Sequence, residues 1–443
     1  MNVKLINELL LSTTTNIPIL ETAFPNISQV KGQLFNFARK IGLESLPEIP
    51  GLLLIRGARQ LGKSTWLESA IIQSYKELGH GSVFYLNCDY LENESQLERA
   101  IKELIPLYSR NIKNNIAPRL FIDEITVIKN WEKILKRLYD SGETRNILII
   151  TTGSQARDLR RGKEKLPGRR GKLERSEYYF PPLSYKEFLS KAKKHFQNDS
   201  LIAYLLTGGS PLAVNELAKL GAIPEYVYTL TRDWILGECA RAERSRNTLI
   251  WLIQTLWRIG PNPVALNQLA KDAGAANNTV IQGYIDLLID SLALGIALPW
   301  NIATSRSIPK KAAKYPWINV LAAWSFSSNR PSSIEQFSGL SQNHKGAAWE
   351  WLVAQEIWRR RALSGNQVPE LLGFSEGGQG SIDLISDSPE MLVEVKAGTA
   401  TPQEFVWFSQ KYPDKKLFVV SQSKFKMQAV QGISFEEFLL EEY

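Results

Sequence analysis

Gly57-Ala58-Arg59-Gln60-Leu61-Gly62-Lys63-Ser64 follows the apolar run Leu52-Leu53-Leu54-Ile55 and precedes a stretch, Ser64 to about Leu78, that reads as a helix. The octapeptide fits G-x-x-x-x-G-K-[ST], and a strand before it and a helix after it are the context that motif requires. Glycines let backbone N–H groups curl around phosphate oxygens, and the helix N-terminus adds positive potential. Lys63 is expected to reach β- and γ-phosphates and Ser64 to hold Mg²⁺. The expected nucleotide contacts are therefore Gly57, Ala58, Arg59, Gln60, Leu61, Gly62, Lys63, Ser64 and the adjoining Thr65. ATP and Mg²⁺ are the expected cofactors.

Further short apolar runs follow at Ser82–Asn87, Leu120–Ile122 and Ile147–Thr151, separated by helical stretches near Glu94–Tyr108 and Trp131–Tyr139. Such alternation indicates an α/β fold built on a parallel sheet. Leu120-Phe121-Ile122 ends in Asp123 and Glu124. Behind a phosphate loop, Asp123 is expected at Mg²⁺, and Glu124 as the general base that polarises the attacking water. Thr151-Thr152-Gly153-Ser154 ends the next strand, and Ser154 or Thr152 is a candidate to position water or sense the γ-phosphate. Turn formation is the competing role for these residues.

The chain has 443 residues, a net charge of +8, and an apolar share typical of globular proteins. Its length implies about three domains. No apolar run reaches the ~18 residues of a membrane span, and the first twelve residues, which include Glu8, make a poor signal peptide. A cytoplasmic protein with no membrane partner is the expectation. Cys88 and Cys239 are too few for a disulfide framework or a zinc site. With only three histidines, any metal is expected on carboxylates.

Residues 157–175 hold nine Lys or Arg against three acids. Arg306, Lys310, Lys311 and Lys314 form a second basic group, and Arg359-Arg360-Arg361 a third. Three such groups favour a nucleic-acid partner over solvated faces. Within the first group, Arg169 or Arg170 is a candidate arginine finger toward a neighbouring subunit, which would make the chain a homo-oligomer. DNA contact and a plain basic loop are the alternatives there.

After Pro182 the pattern turns helical. Residues 249–300 run helix, helix, turn, helix and extended tail, the layout of a winged helix-turn-helix, with Asn277 to Ser291 as its recognition helix. A protein-docking helical domain is the alternative, because this helix carries Asp286 and Asp290 and few cations. Residues 301–343, rich in Ser, Pro, Asn and Lys, read as a linker. Then Ser381-Ile382-Asp383-Leu384-Ile385 precedes Met391-Leu392-Val393-Glu394-Val395-Lys396. Alternation puts Glu394 and Lys396 on one strand face. Asp383 and Glu394 are candidate metal ligands, and Lys396 a candidate to orient or activate water. Glu350 falls on the apolar stripe of a helix spanning Ala347 to Arg361, where an acid calls for a metal or a partner. An ordinary edge strand with a Glu/Lys pair is the competing reading.

This order of motifs resembles the prokaryotic AAA-type ATPases that carry a C-terminal restriction-endonuclease-like domain of uncharacterised function. The resemblance runs from about residue 35 to the end. It rests on Arg56 to Ser64, Phe121 to Ile125 with Trp131, Thr152-Gly153-Ser154, Gly168-Arg169, Pro182-Leu183-Ser184 with Glu187-Phe188-Leu189, Gly208-Gly209 with Pro211, and Glu394-Val395-Lys396. It implies an N-terminal helical segment (1–50), an AAA-type P-loop core (51–190), a helical lid (191–240), a winged helix (241–300), a linker (301–343) and a PD-(D/E)xK nuclease-like domain (344–443). Ser381 stands where the family often has an acid. The functions implied are ATP hydrolysis, DNA binding and metal-dependent DNA cleavage. The alternative is a non-cleaving DNA-binding or protein-switch ATPase with an inert nuclease fold.

Overall fold

The computed structural model describes residues 3–108, 116–153, 171–308, 311–377 and 380–441. The chain divides into two compact units, Met1–Pro181 and Pro182–Tyr443.

In the first unit, β1 (Gly51–Arg56), β2 (Val83–Asn87), β3 (Arg119–Asp123), β4 (Leu148–Gly153) and β5 (Glu177–Tyr179) form a parallel sheet in the order β2-β3-β4-β1-β5. Every residue of β1, β3 and β4 is buried. Their unbroken apolar runs, such as Leu52 to Ile55, follow from a sheet covered on both faces. Leu54, Leu120 and Ile122 pack against Leu97 and Ile101 of the helix Glu94–Leu104 and against Trp131 and Ile134 of the helix Trp131–Asp140. The register sets Arg56 beside Gly153 and Ile122 beside Thr151, so β1, β3 and β4 end together along one sheet edge. Ligands of open parallel sheets bind at that edge.

Within the expected N-terminal helical segment, the backbone from residue 32 to 50 has no helix or strand. Phe35, Phe37, Ile41 and Leu43 recur at even spacings, a period suited to extended chain rather than to a helix. Only Ile41 of these is fully buried. Helical structure instead lies earlier, at Val3–Leu11, Ile17–Ala23 and Pro25–Lys31. Asn7, on the first of these, donates to Tyr85 O at 2.8 Å and accepts from Tyr85 N at 2.9 Å. One side-chain amide thus pairs with the open edge of β2 as a neighbouring strand would, which blunts an edge otherwise free to pair with other chains.

The second unit opens at Ser184, whose hydroxyl and Glu187 form a capping box at the start of the helix Tyr185–Phe196. Helices at Ser200–Thr207, Pro211–Leu220 and Glu225–Arg241 follow, then Arg246–Ile259, Leu266–Asp272 and Asn278–Asp290. The chain continues into β6 (Ile296–Asn301) and β7 (Arg306–Ser307), and after the helix Gln342–Leu363 into β8 (Leu371–Gly377), β9 (Gly380–Asp387), β10 (Glu390–Val395), β11 (Leu417–Ser421), β12 (Phe425–Met427) and β13 (Val430–Ser434). These form one mixed sheet in the order β12-β13-β11-β10-β9-β8-β6-β7. β8, β9 and β10 are antiparallel in turn, whereas β10–β11 and β11–β13 are parallel.

Residues 301–343, expected as a linker, are part of this packed unit. They contain β7 and helices at Val320–Phe326 and Ile334–Ser338. Trp317 and Trp324 are buried and pack edge-on or tilted against Trp351 and Trp257. The Ser- and Pro-rich ends of the segment obscure the apolar run Val320-Leu321-Ala322-Ala323-Trp324 at its centre. Among the described residues, no helix is long and apolar enough to cross a membrane.

Candidate functional site

The phosphate loop leaves β1 at Arg56 and enters the helix Lys63–Leu78 through Gly62, whose φ of +92° suits glycine. Gly57 faces the chain after β5. A Cβ there would lie 2.6 Å from Phe180 Cβ and 2.8 Å from its carbonyl oxygen, so no larger residue fits without displacing that segment. Lys63 Nζ is buried and donates to Gly57 O (2.8 Å) and Ala58 O (2.9 Å). Arg39, from the extended N-terminal stretch, donates to Leu61 O at 3.3 Å and to Pro181 O, with its guanidinium 4.8 Å from the Phe180 ring centre. It clamps the outer side of the loop, and nothing local in the sequence marks it for that role.

Asp123 closes β3 beneath the loop. Thr152 of β4 donates to its Oδ1, and Ser64 bonds to the same carboxylate. Burial raises the Asp123 pKa, the Thr152 hydrogen bond opposes the rise, and the Glu124 charge adds to it. Glu124 takes a left-handed conformation (φ 50°), and its N–H lies 3.2 Å from both Asp123 Oδ1 and Thr152 Oγ1. Glu68, one turn along the loop helix, is buried and accepts from Asn26 Nδ2 (2.6 Å) and Ile27 N (3.0 Å). Burial pushes its pKa up to about 7. The loop glycines, the lysine and the Ser64–Asp123 pair fit a nucleotide with its magnesium ion.

The second constellation lies in the mixed sheet. Glu350 is buried on the helix Gln342–Leu363, Asp383 sits on β9 and Glu394 on β10. Lys396 Nζ donates to Glu394 Oε1 at 2.7 Å, and Ser381 Oγ donates to the same oxygen at 3.2 Å. Asp383 Oδ2 accepts from Val395 N at 3.0 Å. Between Asp383 and Glu350 stands Lys314, with Nζ 3.2 Å from Asp383 Oδ1 and 3.7 Å from Glu350 Oε1. Burial, then the Asp383 charge, raises the Glu350 pKa well above the carboxylate range, and the same two causes lift Glu394 to about 7. Burial works against the Lys314 charge, but Glu350 and Asp383 outweigh it and raise its pKa.

Residues 50–189 match a family model described as an AAA domain. These residues form an AAA domain. The chain also has relatives in Methanocaldococcus jannaschii. One uncharacterised protein of Methanocaldococcus jannaschii is 33% identical over 199 residues, covering 42% of this chain and 38% of that protein. A second from the same organism is 32% identical over 145 residues, covering 32% and 28%. The chain thus matches well under half the length of either relative. A Walker-type ATPase of Pyrococcus abyssi aligns over 62% of this chain and 90% of its own, at 15% identity and a TM-score of 0.43. The ORC2 protein of Aeropyrum pernix, in ADPNP and ADP complexes, covers 73% and 92%, at 13% identity and 0.39. Scores this low are fold-level likenesses only, and the AAA assignment rests on the sequence match.

The structure brings together the AAA-domain residues Gly57 to Ser64, Asp123, Glu124 and Thr152. Thr65 lies one position further into the helix, partly buried. Ser154, Arg169 and Arg170 lie outside the described residues, as does most of the 157–175 basic stretch. In the mixed sheet, Glu350, Asp383 and Glu394 lie within electrostatic reach of one another, with Lys314 between Glu350 and Asp383. Among the described residues, no group of three or more His, Cys, Asp or Glu side chains is disposed to hold a metal ion. The triplet Arg359-Arg360-Arg361 is likewise not a basic surface. Arg359 and Arg360 pair with buried Glu356, and Arg361 pairs with Asp387 and donates to Ser386 Oγ at 2.9 Å. Cys88 is buried in the AAA-domain core, and burial pushes its thiol pKa far up, as befits a packing residue.

Proposed function

We propose that this chain is an ATP-hydrolysing AAA-type ATPase that binds duplex DNA through a winged helix and does not cut it. The observation that carries the ATPase reading is the meeting of Lys63, Ser64, Asp123 and Thr152 at one sheet edge. Lys63 would exchange its bonds to the Gly57 and Ala58 carbonyls for phosphate oxygens. Ser64 and Asp123 would hold Mg²⁺, which supplies charge neutralisation on the phosphates. Glu124, fixed in its turn by two N–H contacts, would take the proton from the attacking water. Ser154 and Arg169 remain candidates for sensing the γ-phosphate and for a finger to a neighbouring copy.

The winged-helix reading is supported by the chain order in the second unit. The helices Arg246–Ile259, Leu266–Asp272 and Asn278–Asp290 are followed by the β6–β7 pair. Val264, between the first two helices, bridges antiparallel to Ala313, and Ala297 bridges to Lys314. Isolated bridges of this kind beside the three helices support the reading of a small wing. Asn277, Asn278 and Thr279 are exposed at the start of the third helix, where such residues meet phosphates and base edges. The helix Gln342–Leu363 followed by β8 to β11 supports a PD-(D/E)xK-like arrangement. Its acids are engaged by lysines, which supports a non-cutting role.

The test is fluorescence anisotropy of a labelled duplex over a salt series, with the same samples run on a gel after incubation with ATP and Mg²⁺ or Mn²⁺. Contact with about six phosphates gives a slope near −5 in log K against log salt. Steep salt dependence with intact DNA is the expected result, whereas cut DNA would overturn the non-cutting reading. A flat profile, with ATP hydrolysis indifferent to DNA, would favour a protein-directed switch. That second reading draws on the burial of Lys314 and Arg361 and on the pairing of Arg359 and Arg360 with Glu356, which engage these cations within the fold.

A further inference from the structure

Lys314 was expected among exposed cations and is instead one of the most enclosed charges in the second unit. Its side chain is 6% exposed, and those of its partners Glu350 and Asp383 are 10% and 14% exposed. It does not reach this place by side-chain flexibility alone. Its N–H donates to Ala297 O and its carbonyl accepts from Ala297 N, both at 2.9 Å. Neighbouring residues are pinned in the same way, Ala313 to Val264 and Trp317 to Leu294. The Phe374 ring lies 5.3 Å from the ammonium and closes another side. A backbone ladder therefore delivers one positive charge to a buried pair of carboxylates on two other elements, a helix and β9.

We propose that Lys314 is the resident cation of this carboxylate cluster, taking the place of a divalent metal and tying the strand segment 311–317 to the helix Gln342–Leu363 and β9. A second cation of charge +2 within a few ångströms of an enclosed ammonium is strongly repelled, because like charges inside a protein are poorly screened. Mg²⁺ or Mn²⁺ gains the cluster only if Lys314 leaves it. Leaving breaks an enclosed ion pair and exposes two acids to each other, a change that destabilises far more than loss of a surface pair. The remaining acid, Glu394, accepts from Lys396 and Ser381 at Oε1. The tie operates whether or not the unit binds DNA, so the two ideas fail separately.

The test uses the full-length chain and Mn²⁺ as the probe, with ATP omitted. The phosphate-loop contribution is removed by carrying Asp123→Asn in every sample. Mn²⁺ binding is read by electron paramagnetic resonance of the free ion, and unfolding by thermal denaturation with and without millimolar Mn²⁺. With Lys314 present, no Mn²⁺ is bound to the cluster and the unfolding temperature does not respond to the ion. Lys314→Ala lowers the unfolding temperature, and Mn²⁺ restores part of the loss while one ion binds per chain. Lys314→Gln, which keeps much of the side-chain volume, serves if the alanine variant does not fold, and the same gain of Mn²⁺ binding is expected. Mn²⁺ binding to the Lys314 protein that disappears in Asp383→Asn would overturn the proposal. So would a Lys314→Gln protein that is as stable as its parent and gains no Mn²⁺.

Discussion

Thr152 Oγ1 donates a hydrogen bond to Asp123 Oδ1, joining the end of β4 to the end of β3 beneath the phosphate loop. The donor matters because Asp123 is buried and its pKa is already raised by that burial. Thr152→Val keeps the shape and removes the hydroxyl. A hydrogen bond to a buried charged group is worth about 1.5–3 kcal/mol, so chemical denaturation of the variant should show a loss of that order. The Mg²⁺ dependence of ATP hydrolysis should also shift to higher metal concentration. An unchanged unfolding midpoint and metal dependence would show that the Thr152 hydroxyl contributes nothing to Asp123.

Glu68 gives the first unit a pH dependence whose sign is fixed. Its pKa rises from 4.5 to about 7 on folding, chiefly through burial. The folded protein therefore binds this proton more tightly than the unfolded chain does. Stability from this group is fully present below pH 4.5 and is lost as pH climbs toward 7. The loss across that window is about 3 kcal/mol, from the shift at 1.36 kcal/mol per unit. Glu68→Gln keeps an acceptor for Asn26 or Ile27 and cannot ionise. Urea denaturation at pH 5 and pH 8 should show a smaller fall in stability for the variant than for the parent.

Asn7 should matter to stability although it is not an expected site residue. Its amide satisfies both the N–H and the carbonyl of Tyr85 in a buried setting. Asn7→Leu leaves both groups unpaired at a buried edge, at about 1–3 kcal/mol each. A drop of roughly 2–5 kcal/mol in unfolding free energy is expected, with greater aggregation through the open β2 edge. Normal solubility and stability in Asn7→Leu would mean that the N-terminal helix does not protect the sheet.

The parts legible in the sequence are those whose chemistry is contiguous. Gly57 to Ser64 declares a phosphate loop within eight residues, and Phe121-Ile122-Asp123-Glu124 carries its acids on the strand that needs them. The four strands β1 to β4 were legible because burial on both faces writes unbroken apolar runs. What could not be read depends on distant pairing. Lys314 meets Asp383 across 69 residues, and nothing local distinguishes it from the exposed Lys311 beside it. Arg359 to Arg361 read as a basic patch because the sequence does not show Glu356 and Asp387 turning toward them. The stretch from Phe35 to Leu43 carries a two-residue apolar spacing, which speaks against the helical segment expected there. β5 was missed because three residues are too few to establish a period.

The most direct test of the ATPase account is steady-state ATP hydrolysis by the full-length chain, compared with Glu124→Gln and Lys63→Ala, alongside binding of a fluorescent ATP analogue. The account predicts that Glu124→Gln binds the analogue as the parent does and hydrolyses ATP about 10²- to 10⁴-fold more slowly, the usual contribution of a general base. Lys63→Ala should bind at least about tenfold more weakly, for loss of a charged hydrogen bond to phosphate. Hydrolysis by Glu124→Gln at the parent rate, or analogue binding untouched by Lys63→Ala, would contradict it.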